Sequence, residues 1–287
     1  MRFKTSIQNI SSFTKLIQSL LSVGNVAWMR LSEDGIQFTI VPELGVQVWT
    51  AIHSGFLFDQ FIVESVADNV INLDLPLDTL YKALKSCNPS SQAVLRLTKR
   101  AGIPILSLTV ATSSSKDTYS THSLVITQEI PIKVLAPRTL ESITEPEVPE
   151  PDVNILLPPL AQLRAFSDRF ANITRIEGGG RWFCSANHEG EFKIKVQTDS
   201  VMVESCWKGL AHPEGDLGTR PGMARREFTT VSVDGKDWIR LMKASMVGKR
   251  VLASFCEGHA LKVYVYMTDI DEEYAATMTY YMSAVSA

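Results

Sequence analysis

Apolar and polar positions in the first half of the chain follow two different periods. Between Ser11 and Ser22 the apolar residues recur three and four positions apart, which predicts an amphipathic helix. From Asn25 onward they alternate with polar residues, as is typical of strands that bury one face. An Asp34-Gly35 turn separates two such runs and predicts a tight hairpin. The apolar stripe of the first helix consists of Phe13, Leu16, Ile17, Leu20 and Leu21.

The second half of the chain repeats the order of elements in the first. Each half reads as strand, helix, several strands, helix and three strands, which indicates an internal duplication. Two helices and many antiparallel strands per half predict an α+β fold with the helices on one face of the sheet. In the first half, Pro76 opens the second helix. In the second half, predicted strands lie at 153–157, 173–176, 181–186, 192–197, 201–207, 228–233, 250–256, 261–267 and 275–284, with one helix from Leu160 and another over 234–245.

A proline-rich, acidic segment separates the two halves. Prolines recur between Pro137 and Pro159, and they interrupt any regular helix or ladder. This composition is typical of an extended, semi-rigid connector. The sequence therefore predicts an N-terminal domain at 1–135, a connector at 136–151 and a C-terminal domain at 152–287.

Composition narrows the class of protein. The chain has 287 residues, enough for two domains of ordinary size, and a formal net charge of -3, which gives no overall attraction to nucleic acid. A helix needs about twenty apolar residues to cross a bilayer, and no apolar run in the sequence approaches this length. No membrane partner is therefore expected. The four cysteines are scattered, which predicts buried reduced thiols in an intracellular protein.

Catalytic and metal-binding motifs are scarce. The histidines show no paired metal spacing, and Gly178-Gly179-Gly180 lacks the context of a phosphate-binding loop. The carboxylate cluster from Asp269 to Glu273 leaves a metal-dependent nuclease as a distant alternative, although a solvated acidic turn is favoured. We expect no catalytic residue, no metal and no cofactor.

Cations recur on the polar side of all four predicted helices. Taken singly, each would be an ordinary solvated helix face. If the helices lie side by side, their outer faces form one basic surface that neutralises phosphates without reading bases. The predicted DNA-facing residues are Lys15, Lys82, Lys85, Arg164, Arg169, Lys236, Arg240 and Lys243.

Several stretches resemble the sliding-clamp superfamily and, more narrowly, the Hus-type subunit of the heterotrimeric DNA-damage checkpoint clamp. The most specific are Ile130–Arg138, IPIKVLAPR, and Glu145–Pro158, EPEVPEPDVNILLP. The opening Met1–Lys4 and the strand Gly45–Trp49 also fit this family. The resemblance implies a PCNA-like α+β clamp fold of two similar domains, each with an antiparallel sheet outside and two helices inside.

The resemblance also implies partners and a place of action. The chain would form a ring with two related Rad-type subunits, opened by a replication-factor-C-like clamp loader. The ring would encircle duplex DNA without sequence specificity at damaged or stalled sites in the nucleus, and would support checkpoint signalling and DNA repair. No catalysis is implied. A homotrimeric replication processivity clamp is the closer alternative.

Two further sets of residues follow from the resemblance. Ring closure would use two edge strands, with His122, Leu124 and Ile126 in the first half and Val201, Val203 and Ser205 in the second. In processivity clamps the connector and the last strand form a groove for partner peptides. The corresponding residues here are Val41, Leu44, Ala136, Leu140, Ile143, Tyr280, Tyr281 and Met282.

Overall fold

The computed structural model describes residues 1–87, 92–114, 122–136, 143–174, 181–213, 224–268 and 275–285. The chain divides into two compact units. The N-terminal unit comprises Met1–Ile40 and Trp49–Thr144, and the C-terminal unit comprises Val41–Val48 and Glu145–Ala287. The division falls inside the predicted connector. The periodicity gave no sign that Val41–Val48 belongs with the second half.

The N-terminal unit contains antiparallel strands and two longer helices. One set of strands is ordered β5-β1-β7-β8-β9, and the unit's other strands are ordered β10-β6-β2-β3-β4. The elements are β1 (Arg2–Ile7), α1 (Ile10–Leu21), β2 (Val26–Ser32), β3 (Gly35–Ile40), β4 (Gln47–His53), α2 (Ser54–Leu57), β5 (Phe58–Glu64), β6 (Ile71–Pro76), α3 (Leu77–Lys85), β7 (Gln92–Arg100), β8 (Ile103–Ser114), β9 (His122–Pro131) and β10 (Lys133–Val134).

Helix α1 begins and packs as its sequence predicts. The side chain of Asn9 caps it by accepting a hydrogen bond from the backbone N–H of Ser12 at 2.9 Å. Its apolar stripe is buried except at the half-buried Leu21, and the ring of Phe13 lies edge-on against Phe58 with 5.3 Å between ring centroids. Helix α3 packs beside α1. The two helices thus share one core with the strands of this unit.

The C-terminal unit likewise contains antiparallel strands and two longer helices. Its strands are ordered β14-β13-β12-β15 in one sheet and β18-β17-β16-β11 along another. Helices α4 and α5 pack against each other. The elements are β11 (Val153–Leu156), α4 (Leu160–Thr174), β12 (Arg181–Ala186), β13 (Phe192–Gln197), β14 (Met202–Trp207), β15 (Thr229–Val233), α5 (Gly235–Met242), a 3-10 turn (Lys243–Met246), β16 (Arg250–Cys256), β17 (Ala260–Tyr266) and β18 (Ala276–Ser283).

Two local predictions require correction, and one short helix was not predicted. The predicted strand at 173–176 is wrong where it can be checked, because α4 continues through Thr174. The helix predicted over 234–245 ends as an α-helix at Met242 and continues as a 3-10 turn. The short helix α2 had no apolar stripe to reveal it. The predicted α+β class, with antiparallel strands and two longer helices per half, is confirmed.

Candidate nucleic-acid interface and assembly edges

Each of the four longer helices carries one more cation than carboxylate. In α1 the single charged side chain is Lys15. In α3, two lysines accompany Asp78, and in α4, two arginines accompany Asp168. In α5, Lys236 and Arg240 accompany Asp237. Each helix therefore presents a local positive charge in a chain whose formal net charge is -3.

In the N-terminal unit the helix cations are exposed and weakly held. Lys15 is exposed on α1 and forms no ion pair among the described residues. Lys82 pairs with Asp78 one turn earlier at 2.6 Å, and Lys85 lies over the ring of Tyr81 at 5.8 Å from its centroid. Both lysines lie in the last turn of α3, where the helix dipole also favours positive charge.

In α4 the two arginines differ in their surroundings. Arg164 approaches Asp168 at 3.8 Å, which is a loose ion pair on the helix surface. Arg169 is exposed and its guanidinium lies over the ring of Phe166 at 5.8 Å. Phe166 itself is exposed and its ring contacts Trp207, although Leu163 and Phe170 of the same helix are buried.

The three predicted DNA-facing cations between positions 236 and 243 are not equivalent. Lys236 is exposed in the first turn, after the helix cap that Asp234 provides. Arg240 forms an ion pair with Asp237, with 2.8 Å between Nη1 and Oδ1, and Asp237 is largely buried. Lys243 lies beyond the α-helix, in the 3-10 turn, and is half-buried. Lys236 is therefore the most available of the three cations for a phosphate.

Gly45 lies close to the side chains of Asp237 and Arg240. This glycine has φ +100°, and a Cβ atom there would lie 2.9 Å from Asp237 Oδ1 and 3.1 Å from Arg240 Nη1. The segment Val41–Val48 thus lies directly against the Asp237–Arg240 ion pair within the C-terminal unit. Sequence reasoning missed this contact, because its partners are far apart along the chain.

The helix faces have the chemistry of sequence-independent phosphate contacts. Exposed ion pairs such as Lys82–Asp78 contribute roughly 0–1 kcal/mol, so exchanging the carboxylate for a phosphate costs little. Point charges on long side chains contact the nucleic-acid backbone and do not distinguish base edges. The contribution of each predicted DNA-facing residue stays a prediction.

The two strands predicted to close a ring lie at sheet edges. Strand β9 ends the order β5-β1-β7-β8-β9, and β14 ends the order β14-β13-β12-β15. Both belong to ladders that have a neighbour on one side only within the part of the chain described here. Their use as subunit interfaces stays a prediction.

The edge residues differ in exposure. Ile126 of β9 is 43% exposed, and Val201, which directly precedes β14, is 41% exposed. Val203 and Ser205 lie in β14 and are half-buried. His122 and Leu124 belong to the backbone of β9, but their side chains lie outside the described part of the structure. An apolar cleft adjoins β14, lined by Phe170, Ile173, Val196, Val201 and Val203.

Only part of the predicted peptide groove offers side-chain surface. Val41, Leu44 and Ala136 are exposed, Leu44 to 89%, and Ile143 is half-buried. The predicted contribution of the last strand requires correction, because the described chain itself covers all three of its side chains. These are Tyr280, Tyr281 and Met282. Leu140 lies outside the described residues.

The end of the connector is fastened to the strands of the C-terminal unit. The hydroxyl of Tyr281 donates a hydrogen bond to Glu145 Oε1. The pKa of Tyr281 is raised mainly because the hydroxyl is buried, and further because of this hydrogen bond. The thiol of Cys256 donates to the carbonyl oxygen of Pro149 at 3.4 Å. The backbone N–H of Glu257 donates to Asp152 Oδ2 at 2.8 Å. Residues 145–152 therefore form a fixed strap, a name we use below for this segment.

Other chemistry is sparse. No three metal-ligating side chains converge among the described residues, and the cluster from Asp269 to Glu273 lies outside them. No described helix is both long and apolar enough to cross a membrane. None of the four cysteines, all of which the structure describes, forms a disulfide bond. Cys184 is buried, which raises the pKa of its thiol, but Cys206 is exposed, so the prediction of uniformly buried thiols is wrong.

The chain is similar to known proteins over almost its whole length. A family model described as Hus1-like protein matches residues 1–286. Checkpoint protein hus1 of Schizosaccharomyces pombe is 40% identical over 292 residues, with 99% of each chain covered. Checkpoint protein HUS1 of Homo sapiens is 28% identical over 221 residues, covering 74% of this chain and 75% of that protein.

A solved structure has the same fold. The crystal structure of Proliferating Cellular Nuclear Antigen from Entamoeba histolytica matches with a TM-score of 0.74, although only 16% of the residues are identical. The match covers 99% of both chains. The expected sliding-clamp fold is thereby confirmed.

Proposed function

The chain belongs to the Hus1-like protein family, and from this premise we propose that it is a non-catalytic subunit of the heterotrimeric checkpoint sliding clamp. The observation that carries the proposal is the 40% identity to the Schizosaccharomyces pombe checkpoint protein hus1 across 99% of both chains. The protein then acts by holding other proteins on DNA rather than by catalysis.

The ring contains this chain and two related Rad-type subunits. Edge strands β9 and β14 are suited to this assembly, because each can extend a neighbouring subunit's sheet by main-chain pairing. The apolar cleft beside β14 adds side-chain contact to that pairing. Unlike partners on the two sides make the ring a heterotrimer.

A replication-factor-C-like loader opens the ring and places it on duplex DNA in the nucleus. Once closed, the ring is retained topologically, so strong binding to DNA is unnecessary. One net positive charge on each helix supplies weak, salt-sensitive phosphate contacts that permit sliding. This explains how a chain with a net charge of -3 serves as part of a DNA-encircling protein. Repair and checkpoint proteins are recruited to the ring at damaged or stalled sites.

The mass of the purified assembly separates this proposal from a homotrimeric processivity clamp. We expect the chain alone to be monomeric in light scattering at micromolar concentration, and to enter a 1:1:1 complex when the two Rad-type subunits are co-expressed. A stable homotrimer of the chain alone, with no uptake of the other subunits, would contradict the proposal. As a control, the three subunits are mixed at increasing salt concentration, because salt screens non-specific association between charged surfaces.

A further inference from the structure

Two cations lie directly opposite each other on neighbouring strands of the N-terminal unit. Lys4 of β1 pairs in register with Arg96 of β7. Both side chains lie on the sheet face opposite to the buried Phe3 and Leu95, with Arg96 exposed and Lys4 half-buried. Neither side chain forms an ion pair or a hydrogen bond in the part of the chain that the structure describes. We refer to them as the Lys4–Arg96 pair.

The carboxylates on the neighbouring strands of this face have other partners. Asp59 of β5 lies opposite Ser6, two residues from Lys4, and accepts a hydrogen bond from the backbone N–H of Gln60 at 2.8 Å. On one side, Glu64 pairs with Arg2 at 3.2 Å. On the other side, Glu129 pairs with Arg100 at 2.6 Å, which raises the pKa of the arginine. The residue opposite Arg96 on β8 is the uncharged Ser107. The Lys4–Arg96 pair therefore remains as two adjacent positive charges with neutral neighbours on both flanking strands.

Such an arrangement works against the stability of the sheet. Like charges directly opposite each other on antiparallel strands are destabilising, whereas an acid in either position would form a favourable cross-strand pair. No packing constraint requires a cation at the exposed position of Arg96. An anionic ligand seated between the two side chains would offset their repulsion.

We propose that the Lys4–Arg96 pair binds a phosphorylated serine or threonine in a segment of a partner protein. A phosphoryl group carries about 1.5 to 2 negative charges at neutral pH, which matches two adjacent cations. Arginine presents a planar fork to phosphate oxygens, and lysine supplies a point charge. Ile62 and Val94, half-buried on the same face, offer apolar contact to the residues that flank the phosphate.

Duplex DNA fits this face less well. Proteins that bind DNA through phosphates use about six to ten contacts, spaced along the backbone. Here the adjoining cations Arg2 and Arg100 each lie beside a carboxylate, which cancels their charge and repels a phosphate backbone, so the net positive charge is confined to the Lys4–Arg96 pair. The charge distribution therefore favours one phosphate of a peptide over a row of phosphates.

Fluorescence anisotropy with a defined peptide tests the proposal on the full chain. The probe is a fluorescein-labelled octapeptide, Gly-Ser-Glu-Val-phosphoserine-Leu-Glu-Gly, compared with its unphosphorylated form at low salt. We expect the phosphorylated probe to bind at least tenfold more tightly. Arg96→Glu should weaken its binding at least tenfold, and Arg96→Gln should do so by a smaller factor.

Lys99→Glu is the matched control, because Lys99 is an exposed cation of the same strand on the other face. It should change affinity less than twofold. Arg96→Glu should also raise the urea midpoint of unfolding, since the introduced carboxylate would pair with Lys4, so lost binding accompanies a more stable fold. Any of three results would overturn the proposal. The chain could bind the two peptides equally well, or Lys99→Glu could weaken binding as much as Arg96→Glu does. Arg96→Glu could also lose binding to a 20-base-pair duplex while it still binds the phosphorylated peptide.

Discussion

The indole N–H of Trp238 in α5 donates a hydrogen bond to the hydroxyl of Ser167 in α4 at 2.8 Å. Both residues are fully buried. The same serine hydroxyl donates to the carbonyl oxygen of Leu163 at 2.7 Å. This bond fixes the two helices of the C-terminal unit against each other, and so it fixes the placement of the cations that they carry.

Replacing Ser167 by alanine should destabilise the C-terminal unit. The change leaves the Trp238 N–H buried without a partner, which costs about 1–3 kcal/mol of unfolding free energy. Urea unfolding followed by tryptophan fluorescence measures this loss. Ser11→Ala, at an exposed position of α1, is the control and should change the unfolding free energy by less than about 0.5 kcal/mol. Equal effects of the two variants would show that the bond contributes nothing.

The close approach of Gly45 to the Asp237–Arg240 ion pair predicts a position-specific cost. Gly45→Ala should lower the unfolding free energy by about 2–3 kcal/mol, because it adds a Cβ 2.9 Å from Asp237 Oδ1 to a backbone with φ +100°. Gly102 is the matched control, since it has φ +84° but no atom within 4 Å of an added Cβ. Gly102→Ala should cost only about 1 kcal/mol. A smaller loss for Gly45→Ala than for Gly102→Ala would refute the contact.

The strap is predicted to loosen at alkaline pH. Burial and the hydrogen bond to Glu145 raise the pKa of Tyr281 above its ordinary value of 10.0, so the folded chain keeps a proton that the unfolded chain releases. The stabilising effect is complete below pH 10 and declines as the pH rises above it. Tyr281→Phe removes this titration.

Unfolding free energies at pH 8 and pH 11 check this prediction. At pH 8 Tyr281→Phe should be less stable than the parent chain by roughly 1 kcal/mol, because the bond to Glu145 is lost. At pH 11 the difference should shrink by about 1 kcal/mol. Tyr81→Phe, at a half-buried tyrosine of α3 in the N-terminal unit, is the control. A difference between parent and Tyr281→Phe that stays constant with pH would mean that Tyr281 titrates normally.

A charge on the exposed edge strand β14 should interfere with ring assembly. Met202 is 65% exposed at the start of this strand, and charged side chains on edge strands oppose pairing with another chain. Met202→Lys should weaken uptake into the heterotrimer at least tenfold in size-exclusion chromatography without lowering the unfolding temperature. Val66→Lys, at an exposed valine outside the strands, should assemble normally. Normal assembly of Met202→Lys would remove β14 from the interface.

The alternation of apolar and polar residues made many strands predictable from the sequence. Strands β12, β13 and β16 begin and end where the sequence predicts. In β12 and β13 buried residues alternate with more exposed ones, whereas the last four residues of β16 are all buried. The strand predicted at 173–176 failed because Ile173 follows Phe170 at helical spacing, and α4 simply continues. The edge positions of β9 and β14 were also predictable through the family resemblance.

Contacts between segments that are far apart in the sequence could not be predicted from sequence patterns. Tyr280 and Tyr281 are consecutive in β18, and consecutive strand residues point to opposite faces. Both are buried, because the core covers one face and the strap reaches Tyr281 on the other. The pairing of Arg240 with Asp237 was likewise hidden, although their spacing of three residues on a helix permits it.

Retention of the assembled ring on DNA tests the central claim most directly. The test variant combines Lys85→Ala, Arg169→Ala and Lys236→Ala, and so removes one exposed cation from each of three helices. The control variant combines Lys99→Ala and Lys249→Ala, which removes two exposed cations that lie outside these helices. After loading onto nicked circular plasmid, the ring is followed by gel filtration at increasing salt. We predict that the helix variant dissociates or slides off linearised plasmid faster, with a salt slope lower by about 2–3, while the control behaves like the parent ring. Identical retention and salt dependence of all three rings would contradict that claim.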